Sequence, residues 1–75
     1  MKITYDPEVD ALYIRFLDTT VTTKHVDEGI SLDYSADGRL AGIEILDARK
    51  RFSLEVFQRV TLEGLPIVSL AAKQL

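Results

Sequence analysis

Apolar and polar positions alternate in twos along the first two-thirds of the chain. Ile3 and Tyr5 stand between polar neighbours, the spacing that sends successive side chains to opposite faces of a strand. Asp6-Pro7 then opens a turn, because proline presets the backbone angle and donates no ladder hydrogen bond. In ALYIRFL, Leu12, Ile14 and Phe16 share one face and Ala11, Tyr13, Arg15 and Leu17 the other. VTTKHV is rich in β-branched residues but poor in large apolar ones, which suits an exposed or edge strand. ISLDY sets Ile30, Leu32 and Tyr34 against Ser31 and Asp33, SADG is turn chemistry, and LAGIEIL places Ala41, Ile43 and Ile45 on one face. The pattern predicts an antiparallel β-meander of about five short strands over roughly residues 1–46.

Register follows from keeping apolar faces together. A four-residue loop sets Tyr5 opposite Leu12 and Ile3 opposite Ile14. The same loop length later pairs Tyr34 with Arg39, Leu32 with Ala41 and Ile30 with Ile43, whereas one residue fewer mixes the faces. After Asp47 the period changes. ARKRFSLEVFQRV holds good helix formers, with Asp47 or Ser53 as a helix cap and Gly64 and Pro66 as terminators. LEVFQRVTLE also alternates strictly, so residues 54–63 read as helix or as a sixth strand. In PIVSLAAKQL, Ile67, Leu70 and Ala71 have helical spacing behind a proline suited to a first turn. The fold class is therefore α+β, a single domain over residues 1–75. The meander is followed by one or two C-terminal helices within about residues 48–74.

Composition narrows the picture. At 75 residues without cysteine, the chain excludes disulfides and thiolate metal sites, and a core this small leaves a thin stability margin. Self-association is the simplest remaining support, so a homo-oligomer, a dimer, is expected. No apolar run approaches the roughly 20 residues of a membrane span, and MKITYDPEVD has no apolar signal region. The expected location is cytoplasmic. Charge is split: residues 1–47 carry ten acids and four bases, and residues 48–75 two acids and five bases. An acidic body disfavours nucleic acid and suits a basic protein partner.

Candidate chemistry centres on DYSADGRLAGIE, which matches a twelve-residue calcium loop with Asp33, Ser35, Asp37, Gly38 and Glu44 in the ligand and turn positions. Asp33, Ser35 and Asp37 are thus candidate metal ligands. Yet no helical stripe precedes Asp33, and the hairpin register carries Glu44 about 20 Å from the turn. Turn preference for Asp, Ser and Gly explains the match without an ion. Asp6, Glu8 and Asp10 read as a solvated turn, and His25 as a surface strand residue. Arg49, Lys50 and Arg51 form a basic run for an acidic partner surface or an anion. Leu40 and Leu46, with Tyr13 and Leu17, need a helix or another subunit over them. Gly42 permits close backbone approach.

MKITYDPEVDALYIRF and VDEGISLDYSADGRLAGIEILDARKR together resemble the small prokaryotic family catalogued as domain of unknown function 2283, over about residues 1–52. Arg49 stands where that family usually has serine. The resemblance implies a compact β-sheet domain with a helix and no assigned activity. By association with toxin-like neighbours it implies an antitoxin-like role. Residues and resemblance together lead to a non-catalytic interaction domain without a cofactor. The alternative is a small-molecule binder or enzyme using the carboxylates near Asp33 and Glu44.

Overall fold

The computed structural model describes residues 1–64. It contains β1 (Lys2–Asp6), β2 (Ala11–Arg15), β3 (Thr22–Asp27), β4 (Ile30–Tyr34), β5 (Leu40–Ile45) and the four-residue helix α1 (Ala48–Arg51). A single 3-10 segment, Leu54–Gln58, follows. No described helix is long and apolar enough to cross a membrane. The helical spacing expected after Pro66 lies outside the described residues.

All five strands join one antiparallel sheet, in the order β1-β2-β5-β4-β3. This corrects the simple meander. The segment from Phe16 to Val21 carries the chain past the β4–β5 turn, so strands β2 to β5 have Greek-key order. The reason lies in the strands themselves. A meander would put the weakly apolar TTKHVD in the middle. The observed order gives the centre to LAGIEI and sends TTKHVD to an edge, where all six residues are exposed.

The β1–β2 register is the expected one, with Tyr5 opposite Leu12 and Ile3 opposite Ile14. The β4–β5 register is displaced by two residues from expectation: Leu32 faces Ile43 and Ile30 faces Ile45. A bulge between Asp33 and Tyr34 takes up one of the two residues, leaving Tyr34 opposite Leu40. A shift of two preserves the side-chain alternation, so the apolar faces still coincide. The bulged Ala41 is fully buried, and its carbonyl accepts from Phe16 N at 2.7 Å and Leu17 N at 3.1 Å, which fastens the start of the crossing segment.

The long helix over residues 48–63 does not form, and neither does a sixth strand. After Arg51 the chain turns extended, with Phe52 at φ −161° and ψ 163°. Leu54–Gln58 makes 3-10 turns, and Arg59 is extended again. An isolated helix is held up by burial of an apolar face, and here Val56 and Val60 are more than half exposed. Phe52 and Phe57 instead pack edge to face, 5.3 Å apart.

The expected cap is also replaced. Asp47 occupies the N-cap position in a left-handed conformation, φ 53°, and makes no side-chain capping bond; Ser53, ahead of the 3-10 segment, makes none either. The first amides of α1 are taken by Asp10, 39 residues upstream: Ala48 N donates to its carbonyl at 3.1 Å and Arg49 N to Oδ1 at 3.2 Å. Asp10 is left-handed too, φ 54°, a conformation that Asp tolerates better than most residues.

Candidate functional site

Cross-strand pairs share a face, so the register sorts the side chains into two sets. One face collects Ile3 and Tyr5 from β1, Leu12 and Ile14 from β2, Ile43 and Ile45 from β5, and Ile30, Leu32 and Tyr34 from β4. Lys24, opposite Leu32, and Asp27, opposite Ile30, are charged residues at its β3 edge. The other face collects Thr4, Tyr13, Arg15, Glu44, Gly42, Ser31, Asp33, His25 and Thr23.

The polar face is tied together by its own hydrogen bonds. Tyr13 reaches across β5 and donates to Asp33 Oδ2 at 2.6 Å, while Thr23 Oγ1 donates to Asp33 Oδ1, also at 2.6 Å. Gly42, between Tyr13's strand and Asp33, makes the reach possible. A Cβ there would lie 2.1 Å from the Tyr13 oxygen and 2.5 Å from Cζ. The expected close approach at Gly42 is thus made by a side chain of the same sheet. The bond to Asp33, helped by burial and the carboxylate's charge, pushes the Tyr13 phenol up to about 12. Next along β4, Ser31 Oγ is hydrogen-bonded to His25 Nδ1 at 2.7 Å, the tautomer of the ring deciding which of the two donates. Ser31 is only 4 % exposed. Tyr13 holds its proton through neutral pH, and the nearest acid, Asp33, has both oxygens engaged.

The other predicted site residues fall into three separate places. Asp33 belongs to the network above, whereas Ser35 and Asp37 sit in the β4–β5 turn. There Ser35 Oγ donates to Asp37 Oδ1, and Arg39 Nε to Asp37 Oδ2 at 3.0 Å. The Ser35 hydrogen bond and the Arg39 charge together hold the Asp37 carboxyl below its usual range. Glu44 lies in β5 opposite Ser31, away from that turn. Among the described residues no three His, Asp or Glu side chains converge on a site for a metal ion. The turn and the crossing segment flank an open groove of about 370 Å³, lined by Leu17, Asp18, Thr19, Ser35, Asp37 and Arg39. The Asp18 carboxylate there is 3.8 Å from Arg15.

The basic run lies at the opposite end of the sheet, and two of its three members hold the fold. Arg49 Nε meets Asp10 Oδ1 at 3.3 Å, and Tyr5 donates to the same oxygen at 2.8 Å. The Tyr5 bond first, and Arg49 after it, lower the Asp10 carboxyl. Arg51 donates from Nε to the Leu46 carbonyl at 2.9 Å and from Nη2 to the Glu28 carbonyl at 2.7 Å. The adjacent Gly29 has φ 73°, and a Cβ there would stand 2.7 Å from that guanidinium. Lys50 is exposed, as are Leu40 and Leu46. These bonds place α1 as a clasp over the end that carries the β1–β2 and β3–β4 turns. Sequence periodicity had no signal for Tyr13–Asp33, a pair 20 residues apart. Only the β2–β5–β4 order brings it together, and Gly42 was its one visible sign.

The apolar face is less well closed. Among the described large side chains only Leu12, at 2 % exposure, is fully buried. Ile3, Ile14, Ile30, Leu32, Tyr34, Ile43 and Ile45 are all partly open to solvent.

No curated protein and no solved structure matches the chain. The model of the family described as Protein of unknown function (DUF2283) matches residues 2–49, which takes in all five strands and the start of α1. That span is well over half of the sequence, and the chain belongs to the DUF2283 family.

Proposed function

We propose that the protein is a non-catalytic interaction domain that works through the apolar face of its sheet. One observation carries the reading: a continuous row of Ile, Leu and Tyr side chains across four strands is left partly exposed, on a fold whose described residues form a single layer. Stable domains bury such a face against a second layer, and a patch of this size on a small protein marks a contact surface. The opposite face supports the same reading. Tyr13, Thr23 and Asp33 are engaged with one another there, as are Ser31 and His25.

The test compares the two faces in the full chain. In native cell extract the wild type is expected to migrate above the size of a single chain. Ile14→Lys, on the apolar face, is expected to migrate as a single chain. Thr4→Lys, on the polar face, is expected to behave as wild type, and circular dichroism verifies that both variants are folded. An Ile14→Lys chain that keeps the wild-type size overturns the proposal.

A further inference from the structure

We infer that the occupant of the apolar face is a second copy of this chain, packed face to face about a two-fold axis that passes over β5 at Ile43. The inference rests on the reading of that face as a contact surface and names its partner.

Symmetry comes first. The sheet has an odd number of strands, with β5 in the middle. Any two-fold axis lying in the interface and centred on the sheet therefore sets β5 against β5 of the second copy. Ile43 is the centre of the apolar face, flanked on one side by Ile14 and on the other by Leu32. A self-facing position must be neutral and apolar, because any charge there meets its own copy. Ile43 and its neighbours meet that condition, and the charged Lys24 and Asp27 stand at the rim, on edge strand β3.

Size comes second. Five strands about 4.8 Å apart, each about five residues at 3.3 Å, make a face of roughly 400 Å². Two such faces, with the relief of interdigitating side chains added, reach the roughly 1,000 Å² that a specific interface requires. Inner faces about 10 Å apart then form the core of an ordinary β-sandwich. α1 is committed elsewhere, since its bonds to Asp10, Leu46 and Glu28 hold it at the end of the sheet.

The purified full-length protein provides the test. Light scattering up to about 100 µM, well above a micromolar dissociation constant, should report twice the chain mass. Ile43→Lys and Ile43→Glu should each be single chains, because each places like charges across the axis. Mixed in equal amounts, the two should recover the double mass, because the mixed pair faces opposite charges. Thr4→Lys should leave the mass unchanged. A wild type that stays a single chain at every concentration overturns the inference; if it still runs large in cell extract, the contact surface stands and its partner is a different protein. A wild-type dimer whose two Ile43 variants fail to recombine, although folded by circular dichroism, overturns the two-fold placement.

Discussion

The two faces of this sheet are built from the same strands and differ in what they leave unfinished. On the polar face the groups at its centre have found partners within the sheet: Tyr13 and Thr23 share Asp33, and Ser31 meets His25. Among the described residues no buried side-chain nitrogen or oxygen lacks one. On the apolar face, side chains that gain only by leaving water remain partly in it. Hydrogen bonds saturate and apolar burial does not. A single sheet can therefore complete its polar side alone but needs a second layer for the other. Contact with other molecules is to be sought where the structure is incomplete, not where its chemistry looks richest.

Substitutions sharpen this contrast, beginning with the largest effect. Leu12→Ala removes the one large side chain that is fully buried among the described residues and should cost about 2–5 kcal/mol in urea unfolding at any protein concentration. Ile43→Ala, diagonal to it on the apolar face, should cost less in dilute solution and more as concentration rises. Equal, concentration-independent losses at both positions would erase the distinction between a closed and an open part of that face. On the polar face, Gly42→Ala puts a methyl where the Tyr13 phenol lies. It should break the Tyr13–Asp33 bond and cost about 1–3 kcal/mol, read as a lower urea midpoint.

Tyr13→Phe should have a smaller effect, about 1 kcal/mol at neutral pH, and it carries a pH signature. The folded state raises this phenol from 10.0 to about 12. Its contribution is therefore complete below pH 10, where the unfolded phenol is still protonated, and is lost as the pH climbs toward 12. The wild-type advantage over Tyr13→Phe in chemical unfolding should shrink across that interval. Asp10 has the opposite sign. Its carboxyl lies below the ordinary 3.8, so its contribution is present at neutral pH and disappears as acid protonates it. Asp10→Ala should loosen the α1 clasp and speed proteolysis after Arg49 and Arg51, with little change in the sheet. At the bottom of the scale, Arg39→Ala removes an exposed ion pair with Asp37 and should leave the unfolding midpoint unchanged within error.

What could be read in advance followed the range of the forces involved. The β1–β2 pairing was legible to the residue, because a short loop and two alternating runs leave one register that keeps Ile3 with Ile14. Between β4 and β5 only the parity was legible. The bulge at Ala41 exists to serve Phe16 and Leu17, which are distant in sequence. The edge position of TTKHVD was written in its composition, but the place of β5 beside β2 depends on competition among all five strands. The helix after Asp47 failed for a similar reason. Its propensities are local, while Arg49 and Arg51 are drawn to Asp10, Glu28 and Leu46. Of the candidate site residues, Asp33 stood out for its spacing to Asp37, whereas its hydrogen-bond partners, Tyr13 and Thr23, lie on two other strands.

The strand order has a consequence for how the protein is made. The β1–β2 hairpin and the β3–β4 hairpin have no ladder in common, and β5, the last of the described strands in chain order, is paired to both. A nascent chain therefore holds two marginal half-sheets until residues 40–45 have left the ribosome. When that strand inserts, it completes both ladders and the row of isoleucines at once. Cooperativity thus arrives late, and a polypeptide arrested before Leu40 should have no stable structure.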